Sequence, residues 1–125
     1  MAALNVTGTD FVLMPCRALE TTERFYTDVL GLEVSQRYGP DFGLEIETGD
    51  TTLAFIPAEK LGREFVASSA AIVLRVDDVP EAKAELESRG VEFQTDVIDS
   101  GKCHQAYFAD PDGNALGIHH IYKTS

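Results

Sequence analysis

Residues 103–120 read Cys-His-Gln-Ala-Tyr-Phe-Ala-Asp-Pro-Asp-Gly-Asn-Ala-Leu-Gly-Ile-His-His. Two alternating segments, 103–108 and 115–120, flank the turn Asp110-Pro111-Asp112-Gly113-Asn114. Proline presets one turn dihedral and glycine supplies a positive one, so the stretch predicts an antiparallel hairpin. An earlier pair of alternating segments, 42–47 and 51–56, brackets Thr48-Gly49-Asp50 in the same way.

Upstream of each hairpin the pattern also repeats. Leu19, Thr22, Phe25, Tyr26, Val29 and Leu30 recur at helical spacing and end at Gly31-Leu32; Val79, Ala82 and Leu86 do the same and end at Gly90-Val91. A glycine just past the last turn takes the left-handed conformation cheaply, and the apolar residue after it folds back onto the helix. Apolar runs at 11–14 and 71–74 precede the two helices, about sixty residues apart. Weaker strands are predicted at 34–37 and 91–95. Each copy therefore reads strand, helix, then three strands. The expected boundaries are module one at about 8–57, a connector at 58–69 and module two at about 70–122, within one α+β domain over 1–125.

The chain has 125 residues, of which 44% are hydrophobic, enough for one core if the modules share it. Twenty-one acidic residues face ten basic ones, a net charge of −11 with no Lys/Arg cluster. That balance repels phosphate backbones and argues against a nucleic-acid partner. It serves solubility, or it attracts a cationic small molecule. Met1-Ala2-Ala3-Leu4-Asn5 lacks a basic start and an apolar run, and no segment reaches the length of a membrane span. The expectation is a cytoplasmic protein with no membrane partner. Cys16 and Cys103, one per module, are read as free thiols on the same compartment argument.

Taken together, Leu19-Glu20 with Phe25-Tyr26-Thr27-Asp28-Val29-Leu30-Gly31-Leu32, Leu74-Arg75-Val76-Asp77-Asp78-Val79, and Phe108 through Leu116 resemble the vicinal oxygen chelate superfamily. This group holds glyoxalase I, fosfomycin-resistance enzymes, extradiol dioxygenases and bleomycin-resistance proteins. The resemblance covers nearly the whole chain. It implies two βαβββ modules whose curled mixed sheets form a cavity, usually completed by a second subunit in a homodimer. In the metal enzymes of the group, an octahedral ion in that cavity chelates vicinal oxygens of the substrate and acts as a Lewis acid.

Carried onto this chain, the four ligand positions that the resemblance implies fall on Phe11, Ala54, Ala71 and Gly117. None of these side chains can bind a metal. The expectation is thus no metal and no cofactor, and a cavity made larger and less polar.

Strand alternation indicates what would line it. If Gly117 points inward, so does His119, and across the hairpin so do Cys103, Gln105 and Tyr107, while His104 and His120 point away. In the first module Phe11 and Leu13 are placed inward, as are Phe42 and Leu44, taken as the counterparts of Gln105 and Tyr107. Glu45 and Glu47 are then turned outward. Tyr107 could donate to a ligand oxygen or simply fill the concave face. Cys103 with His119 could form a nucleophile pair, since imidazole draws a thiol toward thiolate, but a small semi-buried thiol and a hydrogen-bonded strand histidine are the plainer reading. Phe25 and Tyr26 are expected in the core. Asp77 and Asp78 are expected to cap the second helix, and Asp110 and Asp112 to form their turn.

Two functions compete. The first is a metal-independent binding protein that sequesters an aromatic or cationic compound, with Phe11, Phe42 and Tyr107 for stacking and Gln105 and His119 for polar orientation. The second is a lyase, isomerase or dioxygenase-like enzyme that uses a relocated metal or the Tyr107/His119/Cys103 group. An interaction module with a vestigial cavity is a third, blander possibility.

Overall fold

The computed structural model describes residues 4–124. The first module runs β1 (Val12–Cys16), α1 (Leu19–Arg24), β2 (Glu33–Tyr38), β3 (Gly43–Glu47) and β4 (Thr52–Pro57). The second runs β5 (Ile72–Arg75), α2 (Val79–Ser88), β6 (Ile98–Asp99), β7 (Cys103–Ala109) and β8 (Ala115–Ile121). A short 3-10 turn at Ala58–Leu61 opens the segment between them. The sheets have the same topology, β1-β4-β3-β2 and β5-β8-β7-β6. In each, the first strand pairs parallel with the last (β1 with β4, β5 with β8), and the other pairs are antiparallel. This is the α+β architecture of paired βαβββ modules with curled mixed sheets.

The two helices begin and end differently. Asp78 caps α2 by accepting a hydrogen bond from the Glu81 amide at 2.8 Å, and Pro80 sits in the first turn, where its missing N–H costs nothing. At its far end the amide of Val91 donates to the Leu86 carbonyl and that of Gly90 to Glu87, with Gly90 at φ 93°. That is the left-handed stop expected from the sequence. Helix α1 has no side-chain cap and passes at Phe25 directly into a π-helical stretch, Phe25–Val29, which ends at Gly31 with φ 74°.

One face of each sheet packs beneath the helices. Met14, Cys16, Tyr26, Leu44, Ile46, Leu53 and Phe55 from the first module join Val79, Leu86, Val91, Ala106, Phe108, Leu116 and Ile118 from the second in one buried cluster. The Tyr26 and Phe55 rings lie 4.7 Å apart, and Phe93 meets Phe108 at 5.0 Å. Removing such side chains from water is the main stabilising term of the fold.

The turn at 110–114 ties the modules together. Tyr26 donates its phenol hydrogen to Asp110 Oδ2 at 2.8 Å, from 84 residues away. Asp110 Oδ1 accepts from the amides of Asp112 and Asn114, both at 2.9 Å. Asn114 donates from Nδ2 to the Pro15 carbonyl at 2.8 Å and to Asp110 Oδ2 at 2.9 Å, while its Oδ1 accepts from the Ser68 amide. Burial, reinforced by Asp110, pushes the Tyr26 phenol far above its ordinary value, so it stays a donor. Every polar atom of this buried group has a partner, as the low dielectric demands.

One expected strand is not formed. Residues 91–95 are irregular, and the edge strand is the two-residue β6, which pairs Ile98 with Gln105. The Gln94 amide donates to the Tyr107 carbonyl at 2.8 Å, but the Tyr107 amide turns to Thr95 Oγ1 at 3.1 Å. A side-chain acceptor thus replaces the backbone carbonyl that a ladder would use, and pairing resumes only after the intervening loop. No helix among the described residues is long and apolar enough to cross a membrane.

Candidate functional site

The faces of the two sheets that turn away from the helices carry the candidate residues. In the second module the register aligns three strands in two rows. Val73 pairs with Gly117, which pairs with Tyr107; Arg75 pairs with His119, which pairs with Gln105. Cys103 lies one step further along the same face, opposite Ile121. The structure therefore brings Cys103, Gln105, Tyr107, Gly117 and His119 onto one surface.

Gly117 has a steric role there. A Cβ at this position would stand 2.8 Å from Tyr107 Cδ1 and 2.9 Å from Cε1. The Tyr107 ring thus lies across the sheet on top of Gly117, in the space a side chain at 117 would occupy. Its hydroxyl donates to Gln105 Oε1. His119 makes no side-chain hydrogen bond among the described residues. Cys103 Sγ is 3.1 Å from Ser100 Oγ, and no hydrogen bond joins it to His119. A cleft of about 520 Å³ opens beside this face, with Ala71, Val73, Arg75 and His119 on one wall and Asp50 and Thr51 on the other. Arg75 and Asp50 form an exposed ion pair at 3.0 Å across it.

In the first module the corresponding rows are Leu13, Ala54 and Glu45, then Pro15 and Ile56 beside Gly43. Leu13 is 44% exposed. Tyr38, from the edge strand, donates to Glu45 Oε2 at 2.7 Å, and that bond raises the phenol above its ordinary value. Glu47 accepts from Ser35 at 2.6 Å and Thr52 at 2.7 Å, which holds its carboxyl below the ordinary range.

This corrects the expected alternation of β3. Leu44 is buried in the core under the helix, and Glu45 and Glu47 are the residues that share a face with Ala54. The strand begins at Gly43, and Phe42 belongs to the turn before it, 46% exposed and outside both rows. Because strand side chains alternate with period two, misplacing the counterpart positions by one residue exchanges every face. The true counterparts of Gln105 and Tyr107 are Gly43 and Glu45. Phe11 and Ala71 lie just ahead of β1 and β5, both exposed.

Two residues on the second module's face, Val73 and Arg75, are not among those anticipated from the sequence. Continuing the alternation from Ala71 is the signal that reaches them.

Comparison with known proteins places the fold. A family model described as Glyoxalase/Bleomycin resistance protein/Dioxygenase superfamily matches residues 8–118, and the chain belongs to that superfamily. Among solved structures it is similar to a lactoylglutathione lyase from Agrobacterium tumefaciens, at 19% identity and TM-score 0.76, covering 92% of this chain and 94% of that one. It is also similar to TnmS3, an antibiotic binding protein from Streptomyces sp. CB03234, at 24% identity and TM-score 0.75, over 95% and 99% of the two chains. A glyoxalase/bleomycin resistance protein/dioxygenase from Nocardioides matches at 20% identity and TM-score 0.77, over 98% and 89%. No curated protein matches the chain. At these identities the structural likeness concerns the fold.

The metal of the chelate enzymes can be tested against the residues present. Phe11, Ala54, Ala71 and Gly117 offer no donor, and no group of three or more His, Cys, Asp or Glu side chains suited to a metal occurs among the described residues. The donor set does not fit a divalent ion, which needs several oxygen, nitrogen or sulfur ligands at once.

Proposed function

We propose that the protein binds a small planar or aromatic molecule, without a metal, between the helix-free faces of its sheets. The observation that carries this reading is the Tyr107 ring lying on Gly117. The position from which the fold's metal enzymes would extend a ligand is instead covered by an aromatic ring suited to stacking. The antibiotic-binding role of TnmS3, which shares the fold, agrees with such a use.

The protein works as a homodimer in this reading. Phe11, Leu13, Val73, Ile98 and Ile121 leave 41–55% of their surface exposed in the single chain, which is more apolar surface than an isolated inner face comfortably presents to water. A second subunit would cover it and close the cavity.

Thermal-shift measurement against a panel of planar aromatic compounds is the test, since a ligand that binds only the folded state raises its stability. A rise that survives prior treatment with a chelator is expected. Stoichiometric Fe, Mn, Ni or Zn retained through dialysis, with binding lost on its removal, would overturn the metal-free reading. Light scattering reads the subunit number in the same samples.

A further inference from the structure

We propose that Arg75, His119 and Gln105 form a row of hydrogen-bond donors that anchors an acceptor oxygen, such as a carboxylate or a ring carbonyl, of the aromatic ligand lying on Tyr107. This deepens the binding reading above and rests on it.

The geometry comes from the register. Arg75, His119 and Gln105 are direct partners on the adjacent strands β5, β8 and β7. Neighbouring strands lie about 5 Å apart, so the row spans about 10 Å, a span that matches a fused ring system with an oxygen substituent. The next row along the same face is Val73, Gly117 and Tyr107, apolar and aromatic. A flat ligand on the second row therefore directs its edge at the first.

The donors are free to act. Gln105 uses its Oε1 to accept from Tyr107, and its amide nitrogen, which makes no hydrogen bond among the described residues, keeps both N–H groups as donors. Arg75 uses one nitrogen toward Asp50 in an exposed pair, and a guanidinium has further N–H groups to offer. Among the described residues His119 makes no hydrogen bond to another side chain, and its ring supplies an N–H in either tautomer. No carboxylate belongs to either row of this module, whereas the corresponding face of the first module holds Glu45 and Glu47. The preference is thus for an acceptor-bearing ligand at this face, despite the chain's overall charge of −11.

The probes are 2-naphthoate and 2-naphthylmethylammonium, which share a ring system and differ in the sign of the substituent. Calorimetric titration of the intact protein is expected to give naphthoate at least about tenfold tighter binding than the ammonium. The Gln105 side-chain amide and His119 ring resonances are expected to move in a parallel NMR titration. Gln105→Glu keeps an acceptor for the Tyr107 hydroxyl but removes the donor and adds charge, and is expected to cost naphthoate about tenfold or more. Gln105→Met serves if that variant does not fold.

Equal binding of the two probes, or tighter binding of the ammonium, would overturn the donor row while leaving the binding reading intact. Binding of neither probe would overturn both.

Discussion

The two modules share a backbone plan and differ on one face. Under the helices, Met14 and Leu74, Leu53 and Leu116, Phe55 and Ile118, Leu44 and Ala106, Ile46 and Phe108 occupy matching strand positions, and all are apolar. On the opposite face Leu13, Ala54 and Glu45 stand against Val73, Gly117 and Tyr107, and Pro15, Ile56 and Gly43 against Arg75, His119 and Gln105. The helix side has to fill one shared core, and close packing penalises polar or ill-sized replacements. The inner faces carry no such constraint. There the two repeats differ freely, with Glu45 and Glu47 on one face and Arg75, His119 and Gln105 on the other.

The turns that close the two hairpins differ as much. Asn114 reaches Pro15, Ser68 and Asp110, whereas the counterpart turn Thr48-Gly49-Asp50 bonds mainly within itself. Asn114→Ala strips partners from three buried or half-buried groups at once and is expected to cost roughly 3–5 kcal/mol in denaturant unfolding. A loss under about 1 kcal/mol would show that the clamp between modules is incidental, given the usual cost of one unsatisfied buried group.

A second contrast separates the matching positions Cys16 and Val76. Burial, with Asp112 and Asp110 nearby, pushes the Cys16 thiol from 9.0 up to about 11, against a lowering hydrogen bond from Thr22. Between those values the unfolded chain has lost the proton and the folded chain still holds it. Stability is therefore full below pH 9 and falls as pH rises toward 11, by about 3 kcal/mol for two units. Cys16→Val is expected to flatten that part of the pH–stability curve relative to the parent. At pH 8 the half-buried Cys103 is expected to react with iodoacetamide and Cys16 to be spared until the chain unfolds. Equal alkylation of both would place Cys16 outside the core.

These contrasts bear on how much the chain discloses in one dimension. The modules, both helices, the left-handed stop at Gly90 and the capping by Asp78 follow from local chemistry, and local chemistry is written in neighbouring residues. The Tyr26–Asp110 and Asn114–Pro15 bonds join residues 84 and 99 positions apart, so each partner reads as a core tyrosine or a turn residue until the fold brings them together. The inner face of β7 and β8 was legible because the turn at 110–114 fixes its register. The face of β3 was not. Its strand starts at Gly43, where a Cβ would meet the Phe55 carbonyl at 2.8 Å, and that close approach leaves no mark in the hydrophobic pattern. The irregular stretch at 91–97 is hidden for a similar reason, since Thr95 suits a strand by propensity but spends its hydroxyl on the Tyr107 amide.

The glycine on β8 allows the faces to be tested against each other. Gly117→Ala puts a methyl against the Tyr107 ring and is expected to cost about 2 kcal/mol, a typical figure for overpacking, and to displace the ring. Tyr107→Ala in the same chain should recover most of that loss, so the double-mutant cycle reads the coupling directly. At the matching position Ala54→Gly is expected to cost only about 1 kcal/mol, from backbone entropy, with no coupling to Tyr107. Additive behaviour of 117 and 107 would mean that the ring does not rest on the glycine.

The smallest expected effect lies at the edge between the modules. Asp50 holds one Arg75 nitrogen across the cleft, both side chains being largely exposed, and such pairs contribute little to folding. Asp50→Ala should therefore leave unfolding within about 0.5 kcal/mol of the parent. Its carboxylate also lines the wall that an acceptor-bearing ligand would approach, and removing it leaves the guanidinium uncompensated. Naphthoate affinity is expected to rise by about two- to threefold, more at low salt than at high, because screening weakens exposed charges first. An affinity that falls, or does not change at any ionic strength, would show that Arg75 serves only to pair with the neighbouring module.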